Sequence, residues 1–173
     1  LMCGRFVLMT DLSVIAQDFD VPDASVNFSP SRNVSPGQHI PAVICSDHGN
    51  VLASYLWGLI PFWAKDPSIG AKLINARAET ITQKPSFKNA FAKRRCLIPA
   101  EGFYEFKKEG IKKIPYCFGL KSGKPFAFAG LYERWIAPDK KTLETCTIIT
   151  TSANDVVAPI HSRMPVIVPK AAQ

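Results

Sequence analysis

RCLIPAEGFYEF, residues 95–106, shows most clearly what kind of fold this chain adopts. The runs Cys96–Pro99 and Gly102–Phe106 are rich in the aromatic and branched apolar residues that favour β-strands. Only Ala100 and Glu101 separate the two runs, so strand follows strand almost directly. The stretch therefore predicts a fold built mainly from short strands.

The same pattern continues on both sides of this stretch. Ile40–Cys45 and Val51–Trp57 are strand-like and flank Asp47–Asn50, a sequence typical of a hairpin turn. Because strands and helices do not alternate regularly, the sequence predicts an α+β fold whose mostly antiparallel strands form a distorted, barrel-like sheet. Further strands are expected at Cys3–Leu8, Ile114–Leu120, Phe126–Trp135, Leu143–Thr151 and Val166–Val168.

Helices are few and short in this pattern. Thr10 is a suitable N-cap for a helix whose apolar residues recur at helical spacing, namely Leu12, Ile15, Ala16 and Phe19. A second short helix is expected from Ser86, and the Pro-, Ser- and Asn-rich segment Val21–Gly37 is predicted to be an ordered loop. Since repeats, low-complexity tracts and linkers are absent from the sequence, residues 1–173 are expected to form a single domain.

Composition excludes some classes of protein and favours others. The 173 residues contain no apolar run of the about 20 residues that a membrane span needs, and no secretory leader pattern. Five scattered cysteines without a C-x-x-C pair argue against a disulfide framework and a zinc site, so neither a metal nor another cofactor is expected. The 21 Lys and Arg outnumber the 14 Asp and Glu, and the net charge of +7 suits a polyanionic partner.

Cys3 follows Met2 and would become the first residue once Met2 is removed. An N-terminal cysteine carries an α-amine and a thiol on adjacent carbons, and this pair condenses with an aldehyde to a thiazolidine. The amine has an ordinary pKa of about 7.7–8.0, so much of it is neutral and nucleophilic near physiological pH. The alternative is that Cys3 is only a small apolar residue at the start of a strand.

Three further segments carry candidate site residues. Glu105 shares a strand face with Phe103, and burial among aromatic residues would raise the pKa of its carboxyl until it could act as a general acid. Asn75, Arg77 and Glu79 alternate within Leu73–Thr80, and a strand there would place these polar side chains on one face, although Arg77 could simply pair with Glu79. His161 precedes a turn that ends in proline, where a structural role is the alternative.

The segment Trp57–Trp63 is aromatic and is interrupted by Gly58 and Pro61. Its tryptophans either belong to the core or provide platforms on which bases stack, and the high average burial of tryptophan favours the core. The basic cluster near Arg95 complements a helix C-terminus and supports DNA binding only mildly.

Together, six motifs of this chain resemble the SRAP family, the SOS response-associated peptidases, in family order over residues 2–168. They are Met2-Cys3-Gly4-Arg5, Trp57-Gly58-Leu59-Ile60-Pro61, Asn75-Ala76-Arg77-Ala78-Glu79-Thr80, Arg95–Glu105, Phe128-Ala129-Gly130-Leu131 and His161-Ser162-Arg163-Met164-Pro165. Phe106 stands where the family often has tryptophan.

The resemblance implies a sensor of abasic sites in single-stranded DNA that links covalently to the lesion through Cys3. It implies that Asn75 holds the amine or adduct, that Glu105 is the general acid and that His161 moves protons. Phosphate contacts are implied for Arg5, Arg77 and Arg163, and a DNA-facing surface for Trp57, Pro61 and Trp63. Autocatalytic removal of the residues before Cys3 and a lyase side reaction are implied as well.

Two alternatives remain at this point: a cysteine peptidase acting on other proteins, and a module that binds single-stranded nucleic acid without a covalent link. The expected state is a monomer, with the replication machinery as a candidate partner. The expected location is the cytoplasm, at the nucleoid upon damage, in a bacterium, or the nucleus in a eukaryote. Leu1 is interpreted as a remnant of expression, and a C-terminal segment found in family members is expected to be missing after Gln173.

Overall fold

The computed structural model describes residues 3–173. Leu1 and Met2 lie outside the described residues, so the interpretation of Leu1 as a remnant of expression stays a prediction. Residues 3–173 contain twelve strands and two short α-helices. In chain order they are β1 (Phe6–Leu8), α1 (Leu12–Asp18), β2 (Ser31–Val34), β3 (His39–Ser46), β4 (Gly49–Trp57), β5 (Asn75–Arg77), α2 (Lys88–Lys93), β6 (Arg95–Ala100), β7 (Gly102–Glu109), β8 (Lys112–Gly119), β9 (Phe126–Ile136), β10 (Thr142–Ser152), β11 (Arg163–Pro165) and β12 (Ile167–Val168).

Five strands close into a barrel in the order β4-β3-β6-β9-β10, with β10 returning to β4. Four of the five pairings are antiparallel, and the closing pair β10–β4 is parallel. A ring with an odd number of strands cannot alternate direction throughout, so one parallel pair is required. The predicted α+β fold with a mostly antiparallel, barrel-like sheet is confirmed.

The second sheet has four antiparallel strands in the order β2-β1-β7-β8. The chain leaves the barrel at the end of β6, passes through Glu101 and enters this sheet as β7. Glu101 also accepts hydrogen bonds from the amides of Met9 (3.1 Å) and Thr10 (2.5 Å), directly after β1. The stretch 95–106 therefore joins the two sheets and fixes the start of the chain against them.

Aromatic side chains fill the space between the sheets. Phe6 packs against Trp57 and Phe128 at ring-centroid distances of 5.3 and 5.7 Å, and Phe103 lies 6.2 Å from Phe128. All four side chains are buried. Burial of a side chain of this size contributes about 1.5–3 kcal/mol relative to exposure, so this cluster stabilises the packing of the second sheet on the barrel.

Two of the differences from the sequence predictions concern α1 and the segment Val21–Gly37. Helix α1 buries the predicted apolar face, but its N-cap position is Asp11, and Thr10 bonds to Glu101 instead. The segment Val21–Gly37 was predicted to be a loop, but it contains the strand β2. The polar Ser, Arg and Asn residues of β2 lack the apolar alternation that predicts a strand. Among the described residues, no helix is long and apolar enough to cross a membrane.

Candidate active site and nucleic-acid interface

An open cavity of about 750 Å³ lies where the start of the chain meets β7 and the segment before β11. It contains three of the predicted site residues: Arg5, Glu105 and His161. The complete lining is Gly4, Arg5, Pro36, Tyr104, Glu105, Phe106, Lys108, Lys113, Ile160, His161 and Ser162. Residues from distant parts of the sequence thus converge here.

Glu105 is held against the start of the chain. The amide N–H of Cys3 donates a hydrogen bond to Oε1 of Glu105 over 2.8 Å. Alternation along β7 places Glu105 on the buried face with Phe103, and only 2% of Glu105 is exposed. This burial raises the pKa of the Glu105 carboxyl, while the Cys3 N–H and the charge of His161 partly oppose the rise. The sequence prediction of a buried carboxyl with a raised pKa is confirmed.

Cys3 is buried completely in this structure. Burial, with a smaller contribution from the Glu105 charge, raises the pKa of its thiol far above the ordinary range. Its backbone φ of 34° lies in the left-handed region, which is unfavourable for a residue that has a Cβ. The thiol is therefore protonated at rest, and the backbone at Cys3 is strained.

His161 is fixed through one ring nitrogen. The amide N–H of Arg163 lies 3.1 Å from Nδ1, and the Arg163 carbonyl oxygen lies 3.2 Å from the same atom. In the neutral ring Nδ1 accepts from the amide, whereas in the charged ring Nδ1 donates to the carbonyl. Both protonation states thus find a partner, which suits a residue that passes protons.

The guanidinium of Arg163 is engaged inside the protein. It forms a bidentate pair with Glu79, with Nη1–Oε1 and Nη2–Oε2 distances of 2.7 and 3.0 Å. Nη2 also donates to the Thr150 carbonyl over 2.9 Å. This pairing lowers the pKa of Glu79 to about 2. The partner of Glu79 is therefore Arg163 and not Arg77, and the predicted single-face strand ends at Arg77, before Glu79.

Asn75 lies on β5, where it pairs with Ile148 of β10. Its side chain is half-buried, and Nδ2 is a buried donor without a hydrogen-bond partner among the described residues. An unsatisfied buried amide costs about 1–3 kcal/mol, so this donor is a candidate for contact with a ligand.

Two of the predicted phosphate contacts remain accessible. Arg5 is exposed and donates from Nη1 to the side-chain oxygen of Asn33 over 3.0 Å. Arg77 is exposed at the end of β5. Neither is ion-paired with a carboxylate within the described part of the chain.

The aromatic segment divides between core and surface. Trp57 is 1% exposed, and its indole N–H donates to the Ile74 carbonyl over 3.0 Å, so the predicted contact with DNA is wrong for this residue. Pro61 is buried too. Trp63 is 48% exposed and keeps a face for stacking, but it does not line the cavity.

The cavity residues that sequence reasoning did not assign to the site include Tyr104, Phe106, Lys108 and Lys113. Three of them alternate along β7, and this period of two was the signal that could have revealed them. No cluster of three or more His, Cys, Asp or Glu side chains suited to a metal occurs within residues 3–173.

Comparisons with known proteins give one consistent result. The family profile described as SOS response associated peptidase (SRAP) matches residues 2–173. The abasic site processing protein YoqW of Bacillus subtilis (strain 168) is 49% identical over 169 residues, which are 96% of this chain and 75% of that protein. The abasic site processing protein YedK of Escherichia coli (strain K12) is 30% identical, with 99% and 78% covered. A crystal structure of a Bacteroides thetaiotaomicron protein has a TM-score of 0.87 at 30% identity and covers 98% of this chain, with 78% of that chain covered.

Proposed function

Because this chain belongs to the SRAP family, we propose that it processes abasic sites in single-stranded DNA by forming a covalent thiazolidine between Cys3 and the lesion. The observation that carries the proposal is the 2.8 Å hydrogen bond from the Cys3 nitrogen to Glu105. After removal of Leu1 and Met2, that nitrogen is the α-amine. The nucleophile would then lie beside a carboxyl whose raised pKa favours its acidic form.

The reaction proceeds in balanced steps from the aldehyde of the ring-opened deoxyribose. The Cys3 amine adds to the carbonyl carbon, Glu105 protonates the departing hydroxyl, and one water leaves to give an imine. The Cys3 thiol then adds to the imine carbon while its proton moves to the nitrogen, which closes the five-membered ring. His161, on the same cavity, accepts and returns protons during these transfers. The uncharged product resists hydrolysis better than the imine does.

Several other groups support binding of the lesion. The free donor Nδ2 of Asn75 has hydrogen-bonding capacity for the amine or adduct. Arg5 lines the cavity, and exposed Arg77 offers a second guanidinium for phosphate oxygens. Exposed Trp63 offers a face for a base. The protein is proposed to act on the strand as a monomer formed by one SRAP domain.

The same contact favours a second activity, which is removal of the residues before Cys3. In hydrolysis of the Met2–Cys3 bond, water adds to the Met2 carbonyl and the Cys3 nitrogen leaves with a proton from Glu105. The left-handed φ at Cys3 stores about 1–3 kcal/mol, and loss of the preceding carbonyl removes this strain. Peptidase action on other proteins is not proposed, because a cysteine peptidase needs a histidine base on its thiol, and among residues 3–173 the side-chain hydrogen bonds of His161 go to Arg163 and not to Cys3.

The test of the covalent function uses protein whose free N-terminal Cys3 has been verified by intact mass. Mixed with a single-stranded oligonucleotide that contains an abasic site, it should give a heat-stable conjugate on a denaturing gel. Cys3→Ala keeps the α-amine but not the thiol, so its conjugate should appear only after borohydride reduction. Strand cleavage by β-elimination should accompany this imine as a lyase side reaction. A wild-type protein that binds the strand but never gives a conjugate would show the non-covalent alternative to be right.

The self-processing activity is tested by the same mass measurement on freshly made protein that starts at Met2. Wild type should lose Met2 during incubation, whereas Glu105→Gln should retain it for much longer. Equal loss from both proteins would assign the cleavage to another enzyme.

A further inference from the structure

We propose that the outward side of the β7–β8 hairpin, formed by Tyr104, Phe106, Lys108 and Lys113 and here called the hairpin face, binds the single-stranded DNA next to the lesion. In this arrangement Phe106 stacks on a base, and the two lysines hold a phosphate. The inference rests on the proposed function, because it extends the same cavity to the flanking nucleotides. It adds a binding surface made of residues to which no DNA contact has been assigned above.

The strand register places the four side chains on one side of the hairpin. Tyr104, Phe106 and Lys108 alternate along β7, and Lys113 of β8 is directly opposite Lys108. All four line the cavity that contains Glu105 and His161. Four residues of strand span about 13 Å, so the hairpin face has the length of a few nucleotides.

Lys108 and Lys113 lie directly opposite each other, and the repulsion between their charges destabilises the hairpin. Like charges directly opposite on neighbouring strands repel, and both Lys108 and Lys113 are exposed. Within residues 3–173 neither has a carboxylate at ion-pair distance. An anion that contacts both ammonium groups would remove the repulsion.

The other side of the same hairpin provides the contrast. There Lys107 lies 3.4 Å from Glu109, and Lys112 is directly opposite Glu109. The two lysines that do not line the cavity thus have an acidic neighbour, and the two that line it have none among the described residues. Within the described chain, lysines of this hairpin therefore lack an acidic neighbour only where they line the cavity.

The aromatic residues identify the anion as a nucleic acid strand rather than an acidic peptide. Phe106 is 42% exposed although it is a large apolar side chain. Tyr104 is oriented by a hydrogen bond from its hydroxyl to the Arg32 carbonyl over 3.1 Å. Aromatic faces beside cations form the usual surface for single strands, where bases stack and phosphates pair.

The experiment measures the equilibrium binding of a single-stranded oligonucleotide that carries a tetrahydrofuran abasic analogue, which has no aldehyde, at several salt concentrations. Each phosphate contact contributes about 0.7 to the slope of log affinity against log salt. The double variant Lys108→Gln/Lys113→Gln should lower the slope by roughly one contact and weaken binding. Lys107→Gln/Lys112→Gln removes the same charge from the other side and should leave the slope nearly unchanged.

Phe106→Leu should weaken binding roughly tenfold without a change in the salt slope, because a stacked base and not a phosphate is lost. Circular dichroism melts verify that all three variants are folded. Equal slopes for the two double variants would overturn the proposal. Conjugate formation with DNA that carries a true abasic site tests the covalent function separately from the hairpin face. If wild type forms the conjugate and the two double variants still have equal slopes, the proposed function stands and only the role of the hairpin face is wrong.

Discussion

Two cavities of this molecule differ in how their charges are used. The candidate active site has about 750 Å³, and the second cavity, lined by residues of β3, β4, β9 and β10 among others, has about 620 Å³. In the second, Arg94 pairs with Glu133 at 2.9 Å, and Arg134 pairs with Glu144 at 2.7 Å. In the first, Arg5, Lys108 and Lys113 have no carboxylate partner within residues 3–173.

The difference separates a structural site from a binding site. Paired charges in the second cavity satisfy each other, so a ligand there would first have to break an ion pair. Cations in the first cavity that have no carboxylate partner among the described residues gain a partner when a phosphate arrives, and burial raises the pKa of the Glu105 carboxyl there. Cavity size alone would not have distinguished the two.

The largest effect is expected from Glu105→Gln. Loss of the general acid should lower the rate of conjugate formation by about 10²–10⁴. The pKa of the Glu105 carboxyl is higher in the folded than in the unfolded protein, so the protein loses stability as pH rises from the unfolded pKa through the folded pKa. Because glutamine carries no charge, Glu105→Gln removes this loss and should raise the Tm at pH 7. Single-turnover kinetics and thermal melts measure both quantities.

The matched control is Glu133→Gln in the second cavity. Glu133 is 3% exposed and pairs with Arg94, so this variant should have a lower Tm and an unchanged rate. A Tm shift of the same sign for the two variants would break the distinction between the cavities.

Arg94→Met should be strongly destabilising and catalytically silent. It leaves Glu133 buried without its partner, and breaking a buried pair in this way costs about 3–5 kcal/mol. Denaturant unfolding gives the free energy, and the rate of conjugate formation should be that of wild type under conditions where the variant is folded. A variant as stable as wild type would show that this pair is not structural.

Glu79→Gln tests whether Arg163 positions His161 or contacts phosphate. The bidentate pair between Glu79 and Arg163, here called the clamp, fixes the Arg163 backbone that orients the His161 ring, so loss of the clamp should slow conjugate formation roughly tenfold. For Glu79→Gln, the affinity for the abasic analogue and the salt slope of that affinity should not change. A lower salt slope for the separate variant Arg163→Gln would show instead that Arg163 contacts a phosphate.

The pH range of the clamp follows from the pKa of Glu79. Its folded pKa of about 2 lies below the ordinary value, so the contribution of the clamp is present above the unfolded pKa and is lost as pH falls through about 2. The rate difference between wild type and Glu79→Gln should therefore stay constant from pH 5 to pH 9 (roughly the assay range). A difference that varies over this range would point to another titrating group.

Arg77→Gln should give the smallest change. Removing one phosphate contact lowers the salt slope for single-stranded DNA by about 0.7 and weakens binding to any sequence uniformly. Arg134→Gln, in the second cavity, removes one positive charge as well and should leave the slope unaltered. Equal losses for the two variants would indicate that only net charge matters.

Much of the fold could be predicted from the sequence because it depends on local patterns. Apolar alternation predicts most strands, and the stripe of Ile15, Ala16 and Phe19 predicts α1. The parallel closure of β10 on β4 joins residues far apart in the sequence, and no local pattern encodes it. The polar strand β2 was missed because its Ser, Arg and Asn residues do not resemble a strand sequence. It is a strand because it pairs with β1, and this pairing is not visible in its own composition.

The candidate site divides in the same way. Cys3, Glu105 and His161 could be singled out by their chemistry and by the motifs that they share with the family. The pairing of Arg163 with Glu79 spans 84 positions and depends on how β11 lies beside β10, so Arg163 resembled a free phosphate contact in the sequence. Trp57 was assigned to DNA although its place between the sheets buries it.

The central claim is that the nitrogen held by Glu105 and the thiol of Cys3 both bond to the lesion. Intact mass spectrometry of the processed protein with an abasic oligonucleotide tests it directly. The predicted product has the summed mass of both components less one water, survives heating and is unchanged by borohydride. A product that gains two hydrogens on reduction and falls apart without it would be an imine only, and would contradict the account.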